Sequence, residues 1–121
     1  IPADLLQTEF DTCWIKVAGQ DPVEYLKRYA GRTPVVHLKD FVGSKTENMY
    51  ALIGTDEAKQ ESSAEFQFRP VGSGVQDFPA ILDQAVKSGA EFVVVEQDSW
   101  NDMTCMEAAE ASIKYLRSIG W

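Results

Sequence analysis

The chain has 121 residues, 45% hydrophobic, 11% aromatic and 25% charged, an ordinary balance that suffices for one domain spanning 1–121. A net charge of -8 excludes the basic patch of a nucleic-acid binder. No stretch approaches the ~20 apolar residues that span a bilayer, and no basic segment followed by a long apolar one opens the chain. Neither nucleic acid nor membrane is therefore an expected partner, and no signal peptide is expected. Cys13 and Cys105 lack Cys-x-x-Cys spacing and read as reduced thiols of a cytoplasmic protein.

In chain order, Leu5–Phe10 is a mixed run that reads as a strand leading into Asp11. A helix is expected over 22–30. Asp21 caps it, Pro22 takes the first turn, Glu24 sits at the capping-box position, and Gly31 stops it. Thr33-Pro34 leads into Val35-Val36-His37-Leu38, a short buried-type strand. Residues 41–65 are the least regular stretch, with Met49, Tyr50, Leu52 and Ile53 as a small apolar island. An insertion of that length after a strand is either a lid or substrate loop, or a mobile surface excursion. Glu65–Phe68 alternates apolar and polar residues and suggests a short extended segment.

Gly72-Ser73-Gly74 marks a turn, and Asp77 caps a helix over about 78–88 whose inward face is Ile81, Leu82, Ala85 and Val86. Phe92–Glu96 is the clearest strand, because three consecutive valines suit a strand covered on both faces. Thr104 and Glu107 form a capping box for a last helix over about 105–119, which Gly120 ends. Strands alternating with helices predict an α/β fold with about three parallel strand–helix units. A parallel sheet needs neighbours on both edges. With Ile1-Pro2 at the start and a strand pattern close behind it, the expectation is a piece of a longer protein.

Three of these strand patterns end in a metal-type ligand: Asp11, His37 and Glu96. In parallel α/β folds the C-terminal strand ends converge on one rim, where two carboxylates and an imidazole can hold a divalent ion. Asp11 also reads as a cap for the loop that follows it. His37, the sole histidine, also reads as a structural one. A charge at the position of Glu96 is costly unless a metal or partner compensates it. Lys39 and Asp40 read either as contacts to substrate oxygens or as an exposed ion pair. Trp14 walls a sugar pocket or packs in the core, and Arg69 is a candidate anion anchor. Gly72-Ser73-Gly74 reads chiefly as an ordinary turn and only weakly as a phosphate cradle. No Gly-x-Ser-x-Gly elbow supports a hydrolase, and the spacing of a structural zinc site is absent.

The ordered set Asp11-Thr12-Cys13-Trp14, His37-Leu38-Lys39-Asp40, Val71-Gly72-Ser73-Gly74 and Val94-Val95-Glu96-Gln97-Asp98 resembles the sugar phosphate isomerases/epimerases, the xylose-isomerase-like TIM barrels. The resemblance spans nearly the whole chain and implies the C-terminal portion of a (β/α)8 barrel. It implies a divalent ion (manganese, magnesium or cobalt) held by Glu, Asp, His and Glu from four successive strands. Asp11, His37 and Glu96 match the last three, on what would be the sixth to eighth strands. The first Glu has no counterpart here, which implies that this segment alone is inactive and binds metal weakly.

The reaction implied is proton transfer next to a carbonyl of a sugar or sugar phosphate through an enediolate, with Glu96 as one acid–base group. Where several relatives carry a substrate-binding His, this sequence has Trp14. The resemblance leaves room for an inosose dehydratase or a hydroxypyruvate isomerase. From a different class, a non-catalytic half-barrel that binds sugar or a partner also fits. An unpaired sheet edge implies self-association or pairing with the missing N-terminal half.

Overall fold

The computed structural model describes residues 1–44 and 66–121. Among the described residues nine elements occur in the order β1 (Glu9–Asp11), α1 (Thr12–Val17), α2 (Pro22–Arg28), β2 (Val35–Leu38), β3 (Asp40–Gly43), β4 (Phe66–Arg69), α3 (Phe78–Lys87), β5 (Phe92–Val95) and α4 (Cys105–Ser118). The strands β1, β2 and β5 form a parallel sheet in that order, while β3 and β4 pair as an antiparallel ribbon. Three parallel strands, each followed by helix, make the expected α/β segment. The ribbon is an addition set into the connection after β2.

Register decides which side chains share a face, because neighbours along a strand alternate. Phe10 pairs with Val36 and Val36 with Val93, while Leu38 pairs with Val95. These residues face the helices and join Leu26, Phe78, Ile81, Leu82, Ala85 and Leu116 in the main core. The other face carries Glu9 and Asp11 from β1, Val35 and His37 from β2, and Phe92 and Val94 from β5. A second cluster lies under the ribbon, where Phe41 and Phe68 pack on Cys13 with Trp14, Val17 and Phe66 around them.

The caps expected from the sequence form, except that Glu24 closes no capping box on α2 and its carboxylate pairs with Lys27 at 2.6 Å instead. Asp21 Oδ1 accepts from the Glu24 N–H at 3.0 Å, and Pro22 occupies the first turn of α2. Asp77 caps α3 through the Ala80 N–H, and Thr104 with Glu107 forms the full capping box of α4. Ser88 ties α3 to α2 by donating to the Leu26 carbonyl at 2.9 Å. Among the described residues no helix is long and apolar enough to cross a membrane.

Three expectations need correction. The first strand is shorter than 5–10, since the Leu5 and Leu6 N–H groups turn back onto the Pro2 carbonyl and both side chains are exposed. Val86 does not face inward; it sits on the solvent side of α3 at 60% exposure. Strand β5 is not covered on both faces, because Phe92 (63%) and Val94 (41%) stand open on the side opposite the helices. Gly72–Gly74 forms the turn expected, with its Gly72 and Gly74 N–H groups taken up by Asp40. Of the stretch after β2, 45–65, including Glu65 and the island from Met49 to Ile53, lies outside the described residues.

Candidate metal centre

Asp11 does two jobs at the end of β1. Its Oδ1 accepts the Trp14 N–H at 2.9 Å and so caps α1, while Oδ2 lies 3.6 Å from Lys39 Nζ. Asp11 is thus both a rim carboxylate and a cap, though what it caps is the helix α1 rather than the loop expected there. His37 stands opposite Asp11 in the ladder, on the same face of the sheet. Glu96 follows β5 by one residue, and its N–H donates to the Leu38 carbonyl at 3.1 Å. That bond extends the ladder and puts Glu96 on the face shared by Val94 and His37. One ligand atom from each of Asp11, His37 and Glu96 falls within 4.8 Å of the others.

The backbone under the cluster is fixed by Thr12. Its buried hydroxyl lies 2.9 Å from the His37 carbonyl and 3.3 Å from that of Lys39, and it accepts the Lys39 N–H at 3.1 Å. A β-branched residue with a hydroxyl at this point locks the start of α1 to the end of β2. Ring orientation is set by carboxylates on both sides: His37 Nδ1 contacts Glu96 Oε2, and Nε2 contacts Glu9 Oε1.

Lys39 is neither a free substrate lysine nor an exposed partner of Asp40. Its side chain is 2% exposed, with Nζ 2.8 Å from Asp98, 3.3 Å from Glu96 and 3.6 Å from Asp11. The rings of Phe68 and Trp14 flank the ammonium at 5.0 and 5.4 Å from their centroids. Burial works against this charge, but the Asp98 hydrogen bond and the fields of Asp11, Asp98 and Glu96 prevail and push its pKa up. For Glu96, burial opposes ionisation and is outweighed by Lys39 and His37, so its pKa lies below the ordinary value. For Asp11, burial wins over the Trp14 N–H and Lys39, and its pKa is raised.

Asp40 is fully buried and turned away from the cluster. Its Oδ2 accepts from the Gly72 and Gly74 N–H groups at 3.0 and 2.8 Å, and Oδ1 from Gln76 at 3.2 Å. The glycine turn thus binds an anion, but that anion is the chain's own carboxylate. Arg69 rests on Gln67 and lies 3.6 Å from Asp102, outside the ligand cluster. Trp14 is half-buried, stacked on Phe66 and edge-on to Phe68.

Two contributors, Glu9 and Asp98, have no role assigned from the sequence. Glu9 had a signal, since it precedes Asp11 by two and period-two alternation puts both on one face. Asp98 lies in an irregular loop, where no periodicity could aim it. Two carboxylates and one imidazole form a hard to borderline donor set of the kind that suits manganese, magnesium or cobalt. The residues present fit such an ion.

No family model and no curated protein sequence matches the chain. Solved structures do. The chain is similar to a sugar phosphate isomerase/epimerase from Parabacteroides distasonis, with 24% identity and a TM-score of 0.68 over 97% of this chain and 32% of that one. A second sugar phosphate isomerase/epimerase structure from the same organism gives 23% identity and a TM-score of 0.66, over 96% and 32%. At this identity the likeness shows the fold, a segment of the barrel shared by these proteins. The chain spans 32% of the length of the structures it matches.

Proposed function

We propose that the chain carries part of the metal-binding rim of an enzyme that isomerises or epimerises a sugar or sugar phosphate by moving a proton next to a carbonyl. The convergence of Asp11, His37 and Glu96 on one end of parallel strands carries this reading. The shared fold with sugar phosphate isomerase/epimerase structures supports it. Asp11, His37 and Glu96 would hold a divalent cation, which would polarise a carbonyl and stabilise negative charge on adjacent oxygens.

Glu96 is the proposed proton acceptor. Lys39 and His37 keep it ionised, and their contacts to its two oxygens fix its orientation. Trp14 is the proposed wall of the sugar site. Lys39, paired with Asp98, Glu96 and Asp11, is proposed to hold the rim carboxylates in place rather than to meet substrate, and Arg69 is the proposed anchor for a phosphate. Cytoplasmic residence belongs to the same proposal and is supported by two free thiols.

The test is loss of the substrate α-proton signal in deuterium oxide, followed by proton NMR across free and phosphorylated ketoses. Exchange is expected with native protein in the complete barrel and none with Glu96→Gln. Equal exchange in both would reject the role of Glu96.

The open face of β5 favours association. Phe92 and Val94 expose apolar surface beside a strand edge that is unpaired among the described residues, and a second copy of the chain is the occupant we infer. Sedimentation of the 121-residue chain should show concentration-dependent self-association that Val94→Lys weakens. A monomer at high micromolar concentration would contradict this.

A further inference from the structure

Glu9 makes a contact that neither the cap of α1 nor the core requires. It stands on the same face of β1 as Asp11, one pleat earlier, and its Oε1 meets His37 Nε2. Glu96 meets the other ring nitrogen, Nδ1. The two nitrogens of an imidazole point away from each other, so with Glu9 on Nε2 it is Nδ1 that faces Glu96, a member of the ligand cluster. Histidines that ligate metals commonly donate their second N–H to a carboxylate, which fixes tautomer and ring orientation and raises the basicity of the ligating nitrogen.

We infer that Glu9 is a positioning residue: it holds His37 by Nε2–H so that Nδ1 is the nitrogen offered to a divalent cation at Asp11 and Glu96. The inference rests on the metal-site reading above. Glu9 does not itself join the ligand set, which closes among the described residues on Asp11, His37 and Glu96. Its side chain is 59% exposed, so replacing it leaves the core untouched.

His37 is the only histidine, so one pair of imidazole nitrogen signals reports on it. The experiment titrates the nitrogen-15-labelled 121-residue chain with zinc, a diamagnetic probe, in native, Glu9→Gln and Glu9→Leu forms. In the native chain Nδ1 should move to its metal-bound position while Nε2 stays protonated. Glu9→Leu should bind zinc about 10–100-fold more weakly. Glu9→Gln, whose amide oxygen still accepts from Nε2–H, should stay close to native.

Native-like affinity and an unchanged nitrogen pattern in Glu9→Leu would overturn the role of Glu9 while leaving the metal site standing. Zinc on Nε2 in the native chain would overturn it as well. No response of either native nitrogen to zinc would instead reject the metal-site reading, and the inference with it.

Discussion

Gly74 donates its N–H to Asp40 at 2.8 Å, and that bond closes the loop behind the rim onto the start of β3. The approach is so close that a Cβ on Gly74 would run into the Asp40 carboxyl and the Phe41 carbonyl. Asp40→Asn keeps the shape but leaves one oxygen to serve donors that now use two. Its expected cost is roughly 1.5–3 kcal/mol of unfolding free energy. Gly74→Ala should cost roughly 1–3 kcal/mol by overpacking. Urea midpoints check both; native midpoints would mean that the loop is not held by Asp40.

Lys39 presents a different balance, a buried ammonium shared by three partly exposed carboxylates. Lys39→Met leaves Asp11, Glu96 and Asp98 without their cation. The expected loss is roughly 1–3 kcal/mol, below the cost of breaking a fully buried pair because the carboxylates retain some water. Manganese chloride should then raise the melting temperature of Lys39→Met more than that of the native chain, since the cation replaces the missing charge. Equal shifts would show that the ammonium and the metal do not share these carboxylates.

Much of this fold was legible because its signals are local. Asp21-Pro22, Asp77 and Thr104…Glu107 each place a side-chain oxygen where the first turn of a helix has free N–H groups, so the starts of α2, α3 and α4 could be read from spacing. The rim positions Asp11, His37 and Glu96 were readable for the same reason: each directly ends, or sits late in, a β-branched or apolar run. What could not be read depends on contacts distant in sequence. Lys39 and Asp40 are adjacent, yet one turns to Asp98 and the other to Gly72 and Gly74, and only the assembled loops decide that. Leu5 and Leu6 looked like strand because hydrophobicity does not reveal whether a neighbouring strand reaches that far.

The α4 capping box gives a pH signature. The Thr104 backbone N–H and then its hydroxyl hold the Glu107 carboxyl below its ordinary value of 4.5. A carboxylate whose folded pKa is depressed stabilises fully above the unfolded value and loses that stabilisation as pH falls through the folded one. The melting temperature of the native chain should therefore exceed that of Glu107→Gln by a constant margin above about pH 5.5, and the margin should shrink as pH drops toward 3. A margin that does not change with pH would mean that the charge of Glu107 contributes nothing to the cap.

The central claim is that Asp11, His37 and Glu96 together bind a divalent cation. Its most direct test is a manganese titration of the 121-residue chain followed by electron paramagnetic resonance, beside Asp11→Asn, His37→Gln and Glu96→Gln. Asn keeps the cap on α1, so the first variant removes a ligand without removing the helix start. One weakly held manganese is expected in the native chain and none in any of the three variants. A native chain that leaves excess manganese free, or variants that bind it as the native chain does, would contradict the assignment.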